Sequence, residues 1–301
     1  APFADEGPDG APSHGWPGNA RWKVIETVPH PDGGTITRYV VTKPVFRARV
    51  VKEFVLRDGH PFLYQRHIFY GGEGATSVAS HGMTRFPAGG RLAFSPKRFG
   101  STPAKAPEPD PALGRSLLAY PSEFTDLTRV PLADGGVADI TTYPFGQKHE
   151  DFVMLVEAEG STLGWALATR PDQRDIYVSL KNPADLPVTL LWFSNGGRDY
   201  APWNGRHVGV QGIEEGRTFG AAGLEASINP NALTEQGVPT ALVLDPDGEV
   251  EVRNVIGGLP LPAGCTRAAG VSVGADSLTV TDESGASLTV PYDARFLARS
   301  R

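Results

Sequence analysis

The chain has 301 residues and a formal net charge of −6, with no basic block to meet a nucleic-acid backbone or an anionic membrane surface. Its longest apolar runs, such as "LPVTLLWF" at 186–193, fall far short of the about 20 residues that a membrane-spanning helix needs. The one cysteine, Cys265, excludes an intrachain disulfide and a paired-cysteine metal site, and reads as a buried thiol.

The opening "APFADEGPDGAPSHGWPGNA", residues 1–20, is rich in Gly, Pro and Asp and reads as an extended arm. It carries no recognisable secretory signal, so a cytoplasmic protein is expected, with a periplasmic one as the alternative. From Trp22 onward short runs alternate apolar and polar residues: "RWKVIETV", "TITRYVVT", "RARVVKEFVLRDG". The turn "HPDGG" at 30–34 separates the first two, with Pro fixing φ and Gly accepting positive φ. "PFLYQRHIFYGGEG" is a strand running into a glycine bend, and "GGRLAFSPKRFG" is one more strand. The Pro-rich acidic stretch 101–115 reads as a surface excursion, because strands resume beyond it without a change of class.

The second half keeps this grammar. "DFVMLVEAEGSTLGWALATR" and "DIYVSLKNPADLPVTLLWFSNGG" each hold two apolar runs around a turn. Hairpin turns are expected at Asp247-Gly248 and at Ser284-Gly285, and residues 220–236 are the one helical candidate, interrupted by Pro230. Abundant Gly and Pro (36 and 27) favour many short strands over long helices. The expected fold is all-β: a large antiparallel two-sheet sandwich, with residues 21–301 as one domain.

Four histidines stand beside glycines or acids at strand ends: His67, His81, His149 and His207. His14, His30 and His60 fall in turn or arm contexts and read as solvated residues without a role. In "LYQRHIFYGGEGATSVASHGMTRFP", His67 and His81 flank a Gly-rich turn. If the strands on either side pair, both imidazoles reach one cleft. Arg85, four residues after His81, offers a fork of donors to an oxygen-rich ligand. "LLWFSNGGRDYAPWNGRH" at 190–207 sets Trp192, Tyr200 and Trp203 among Asn195, Arg198, Asn204 and Arg206. Aromatic faces beside amide and guanidinium donors suit a sugar, whose C–H face stacks while its hydroxyls are hydrogen-bonded. "QKHEDFVML" places His149, Glu150 and Asp151 at a strand entry. A serine-hydrolase elbow, a dinucleotide fingerprint and a calcium loop are all missing. A metal held by His67, His81 and a carboxylate is the remaining metal option. In "VGVQGIEEGRT" at 208–218, a strand carries two adjacent carboxylates, Glu214 and Glu215. Alternation sends them to opposite faces of the sheet.

Taken in order, three segments resemble the aldose 1-epimerases, the sugar mutarotases. "HGMTRFP" is similar to their His-Gly-x-x-Arg segment, and "VSLKNPADLPVTLLW" to their strand–Asn–turn–Pro–strand unit. "QGIEEG" stands where that family carries a Gly-(Leu/Ile)-Glu-Pro run containing its catalytic base. The resemblance covers roughly residues 40–220 and implies the galactose mutarotase-like supersandwich. It implies that Glu214 is the base facing the cleft, that Glu215 faces away, and that His81 and Arg85 contact a sugar.

The chain departs from the family at the general acid. The family's histidine is replaced by "FSNGGRDY", where Asn195 and Arg198 are poor proton donors. The acid must then come from elsewhere, from His67, His81, His149 or His207, or the activity is lost. The catalytic set read from the sequence is Glu214, His81 and His67, with Arg85, His149, Trp192, Asn195, Arg198 and His207 binding substrate. No cofactor and no metal are expected, and the partner is a small-molecule sugar, with Arg85, Arg198 and Arg206 leaving room for an anionic one. The reaction expected is anomer interconversion by acid and base. A non-catalytic sugar-binding protein on the same fold, or a lyase, hydrolase or metal-dependent isomerase in the same cleft, are the alternatives.

Overall fold

The computed structural model describes residues 1–298 apart from 5, 6, 8, 9, 109, 111, 112 and 114. Parts of the arm and of the 101–115 excursion therefore lie outside the described residues. Two antiparallel sheets dominate. One has nine strands, ordered Trp22–Pro29, Gly34–Val41, Arg49–Arg57, Phe62–Tyr70, Glu249–Pro260, Asp175–Lys181, Gly164–Arg170, Gly90–Phe94 and Thr142–Tyr143. The other has six, ordered Val78–Arg85, Val210–Arg217, Val188–Asn195, His149–Glu157, Lys97–Ser101 and Glu123–Phe124.

The sheets pack face to face through side chains of alternate residues. Ala166 and Ala168 of the larger sheet meet Val153, Leu155, Leu191, Phe193 and Ile213 of the smaller. The opposite face of the larger sheet, through Leu167, Ile176, Val178 and Leu180, is covered by Leu278 and Val280 of a third sheet. That sheet has three strands, Ala268–Val273, Ser277–Asp282 and Ser287–Pro291. A two-sheet sandwich is thus extended by a small third layer.

A buried ionic cluster lies between the two main sheets. Lys181 Nζ is 2.6 Å from Glu215 Oε2 and 2.9 Å from Glu157 Oε1. Lys97 also pairs with Glu157, while Ser179 and Thr189 hydroxyls donate to Glu215 at 3.0 and 2.9 Å. Every carboxylate there has a cation and hydroxyl donors, which is what makes such burial tolerable.

Several local expectations are corrected. "GGRLAFSPKRFG" is two strands: Pro96 breaks the run, so Gly90–Phe94 joins the larger sheet and Lys97–Ser101 the smaller. The turns after Glu157 and after Lys181 likewise carry the chain from one sheet to the other. No hairpin forms at Asp247-Gly248: Leu242–Val243 pairs with Ala75–Thr76, and Glu249–Pro260 pairs with Phe62–Tyr70. The Ser284-Gly285 hairpin does form, closed by the Gly285 amide on Asp282 O at 3.1 Å. Helical turns occur at Gly223–Ile228, as expected, and also inside the arm at Gly15–Asn19. The arm is not extended throughout, because His14 adopts φ 65° and turns the chain into that helix.

Candidate active-site cleft

The outer face of the six-stranded sheet is not covered by another sheet. Phe152, Met154, Val156, Val188 and Leu190 project from it and pack with Phe99, Leu233 and the arm residue Phe3. Between this face, residues 219–236, the 101–107 loop and the arm lies a cavity of about 1190 Å³.

Glu214 projects into this cavity. Its strand pairs with Val78–Arg85 so that Glu214 stands directly opposite His81. Side chains of directly opposed residues share a face. His81 Nε2 consequently lies 3.4 Å from Glu214 Oε1. Glu215, one residue on, points the other way into the ionic cluster. Adjacent carboxylates thus have unlike surroundings. Glu215 is paired with Lys181, whereas Glu214 is 1% exposed and its Oε2 has no hydrogen-bond partner. Burial without a cation raises the Glu214 carboxyl to about 8. Burial lowers His81 to about 4, with nearby His14 acting in the same sense. At neutral pH the pair is therefore a carboxylic acid beside a neutral imidazole.

Two glycines make room for this arrangement. A Cβ on Gly212 would lie 2.7 Å from Glu214 Oε1 and 3.0 Å from Trp192 Cβ. A Cβ on Gly82 would lie 2.6 Å from the Ile213 carbonyl and 2.8 Å from the Tyr177 hydroxyl.

The loop after Val188–Asn195 builds one wall. The Arg198 guanidinium lies over Trp192 at 5.1 Å and Trp203 at 4.8 Å, between two indole faces. Its Nε is 3.1 Å from Glu150 Oε1. Glu150 is fully buried and accepts from the Trp192 indole N–H and from Ser194 Oγ at 2.8 Å. Burial raises the Glu150 carboxyl, and the Arg198 charge opposes that rise.

The residues singled out in the sequence separate into groups. Glu214, His81, Trp192 and Arg198 border the large cavity together. His67 does not border it: Phe62–Tyr70 and Val78–Arg85 lie in different sheets, so the expected strand pairing does not occur. His67 and His81 instead share a smaller cavity of about 530 Å³ beneath the arm, beside Lys52 and Asn254. His149 faces the sandwich interior, 0% exposed, with Nδ1 2.8 Å from Asp151 Oδ2. Strand alternation gives its place on the cleft face to Glu150. Asn195 is held by backbone, donating to Gly146 O at 3.0 Å and accepting from the Gly209 amide at 3.2 Å. His207 stands behind the wall, 2.7 Å from Ser194 Oγ and against the Trp192 and Trp203 rings. Arg85 is exposed at the end of its strand and does not line the cavity.

Two arm residues at the cleft escaped the sequence reading. His14 borders both cavities, its ring centroid 5.5 Å from that of His81 and its Nδ1 accepting from the Ala4 amide at 3.3 Å. Phe3 lies 6.4 Å from the His81 ring, anchored by its amide on Ser77 Oγ at 2.9 Å. Nothing local in "APFADEGPDGAPSHG" signals that the arm folds back over the sheet. Among the described residues, no group of three or more His, Cys, Asp and Glu is placed to hold a metal ion, so His67, His81 and a carboxylate do not form one. Among them also, no helix is long and apolar enough to cross a membrane.

No family model matches the chain, and no curated protein matches it in sequence. Its backbone does match solved structures. A provisional aldose 1-epimerase of Escherichia coli K12 aligns with a TM-score of 0.54 at 13% identity, over 87% of this chain and 82% of that one. A galactose mutarotase-related enzyme of Lactobacillus acidophilus aligns with a TM-score of 0.51 at 12% identity, over 84% and 76%. A provisional aldose 1-epimerase of Klebsiella pneumoniae gives 0.49 at 15% identity, and the chain spans 59% of its length and aligns over 84% of its own. With its strand order and the likenesses to the Escherichia coli and Lactobacillus structures, the chain has the all-β sandwich fold of the galactose mutarotase-related proteins.

Proposed function

We propose that the cleft is an acid–base site that interconverts the anomers of a sugar, with Glu214 and His81 exchanging the protons. The observation that carries this reading is the buried Glu214 carboxyl at the large cavity, with no lysine or arginine beside it and with Oε1 3.4 Å from His81 Nε2. Mutarotation needs one group to take the anomeric hydroxyl proton and another to protonate the ring oxygen. The C1–O5 bond then breaks, a carbonyl forms, rotation about C1–C2 follows, and the ring recloses. With the carboxyl raised and the imidazole lowered, the resting proton sits on Glu214. Glu214 accordingly donates to the ring oxygen and His81 accepts from the anomeric hydroxyl. On reclosure the protons return. The imidazolium and carboxylate formed midway are held close together, so each stabilises the other.

This assignment inverts the role that the family resemblance implies for Glu214, and it fills the place of the general acid missing from "FSNGGRDY". The test is anomer exchange by saturation-transfer NMR on a panel of reducing sugars. Acceleration by the wild type that disappears in Glu214→Gln is the expected result. Sugar binding without exchange in either protein would replace the enzyme with a binding protein.

A further inference from the structure

We propose that the substrate is a reducing sugar whose ring carries a large apolar group away from the anomeric carbon, such as a long-chain acyl ester. This rests on the acid–base reading above, since ring opening demands a free anomeric hydroxyl.

The argument is the distribution of polarity in the cavity. Its one end holds Glu214 and His81. The remainder is walled by Phe99, Phe152, Met154, Trp203, Phe219 and Leu233. Phe99, Phe152 and Met154 are each 8% exposed, and the aromatic ring of Phe3 already packs in their cluster. Most side chains on the rest of the border are apolar, and Arg198 is held in an ion pair with Glu150. The Thr102 hydroxyl donates to Ala119 O at 2.7 Å and also accepts from the Ser122 amide at 2.8 Å. Lys105 and Glu123 are exposed at the rim.

A free hexose offers several hydroxyls. Against such a wall they would lose water without gaining partners, at about 1–3 kcal/mol each. An apolar chain there instead gains from burial, at about 0.8 kcal/mol per CH₂. Size points the same way. At about 1190 Å³ the cavity exceeds the about 300–1,000 Å³ of ordinary ligand pockets, far more than one sugar ring fills. Glu214 and His81 mark the polar end, where the hemiacetal oxygens sit.

Isothermal titration calorimetry with glucose, 6-O-octanoyl-glucose below its micellar concentration, and octanoate alone tests this. The octanoyl sugar is expected to bind at least tenfold tighter than glucose and than octanoate. Trp203→Ala, a change in a half-buried residue of the cavity wall, should cut that advantage several-fold. Equal affinities for the two sugars, or octanoate binding as tightly as its ester, would overturn the proposal. Anomer exchange on the same ligands separates the two readings. Exchange on glucose with no gain from the acyl group refutes the substrate class and leaves the acid–base site standing. Tight octanoyl-sugar binding without Glu214-dependent exchange keeps the apolar site and refutes the chemistry.

Discussion

Glu214 and His81 are direct cross-strand partners, and their register alone brings Nε2 of the imidazole to 3.4 Å from the carboxyl. A slip of one residue would put Glu215 in the cleft and Glu214 among the lysines. The pairing thus decides which of two adjacent acids is left without a cation.

Rate should follow a bell in pH. The proposed step needs Glu214 protonated and His81 neutral, so turnover is expected to rise through about 4 and fall through about 8. Glu214 acting as a lone base, with no paired acid on His81, would instead give a rate rising through pH 8. Exchange rates between pH 3 and 10 decide between the paired site and the lone base.

Stability should carry the same signature. The folded pKa of Glu214 is raised from 4.5 to about 8, so the folded state holds a proton that the unfolded state releases. This contribution is complete below about 4.5 and is lost as pH rises to about 8. Urea midpoints measured between pH 5 and 9 should fall for the wild type relative to Glu214→Gln, which keeps the neutral shape. His81 and His67 are lowered, to about 4 and about 3, so both oppose folding as pH drops below 6.5. His67→Gln should flatten the acid limb without affecting exchange at neutral pH.

The two glutamates should part cleanly on mutation. Lys181→Met leaves Glu157 and Glu215 buried without their shared cation, and is expected to cost about 3–5 kcal/mol by denaturant unfolding. Exchange per folded molecule should persist. Glu214→Gln should do the reverse, leaving stability at neutral pH intact or improved while exchange falls by about 10²–10⁴-fold.

Gly212→Ala should act on the carboxyl through space. The added Cβ meets Glu214 Oε1 at 2.7 Å, the far end of a flexible side chain. The fold should tolerate it with a loss of about 1 kcal/mol, while exchange drops because the carboxyl moves. Unchanged exchange would show that the carboxyl position is not critical.

Anionic sugars should gain nothing. The sequence leaves room for them because of its arginines, but Arg198 is neutralised by Glu150 and Arg85 lies outside the cavity. Glucuronate is expected to bind no more tightly than glucose, with no salt dependence. A strong preference for glucuronate would mean that the Arg198–Glu150 pair opens on binding.

Local pattern determined much of this protein. Alternation announced the strands and the split of Glu214 from Glu215, Pro and Gly placed most turns, and the order of three weak segments pointed to the mutarotase-like fold. These are properties of a few neighbouring residues, and they survive in one dimension. Which strands pair was decided only in three dimensions. The link from Phe62–Tyr70 to Val78–Arg85 reads as a turn between partners, yet the strands belong to different sheets and His67 parts from Glu214. Glu150, not His149, reached the cleft face, because the register of His149–Glu157 fixes which residues point outward. His14 and Phe3 came to the site from far along the chain, and the Glu214 carboxyl was raised because it is buried with no lysine or arginine beside it. Burial and charge environment are sums over distant residues, and a linear reading supplies only the local terms.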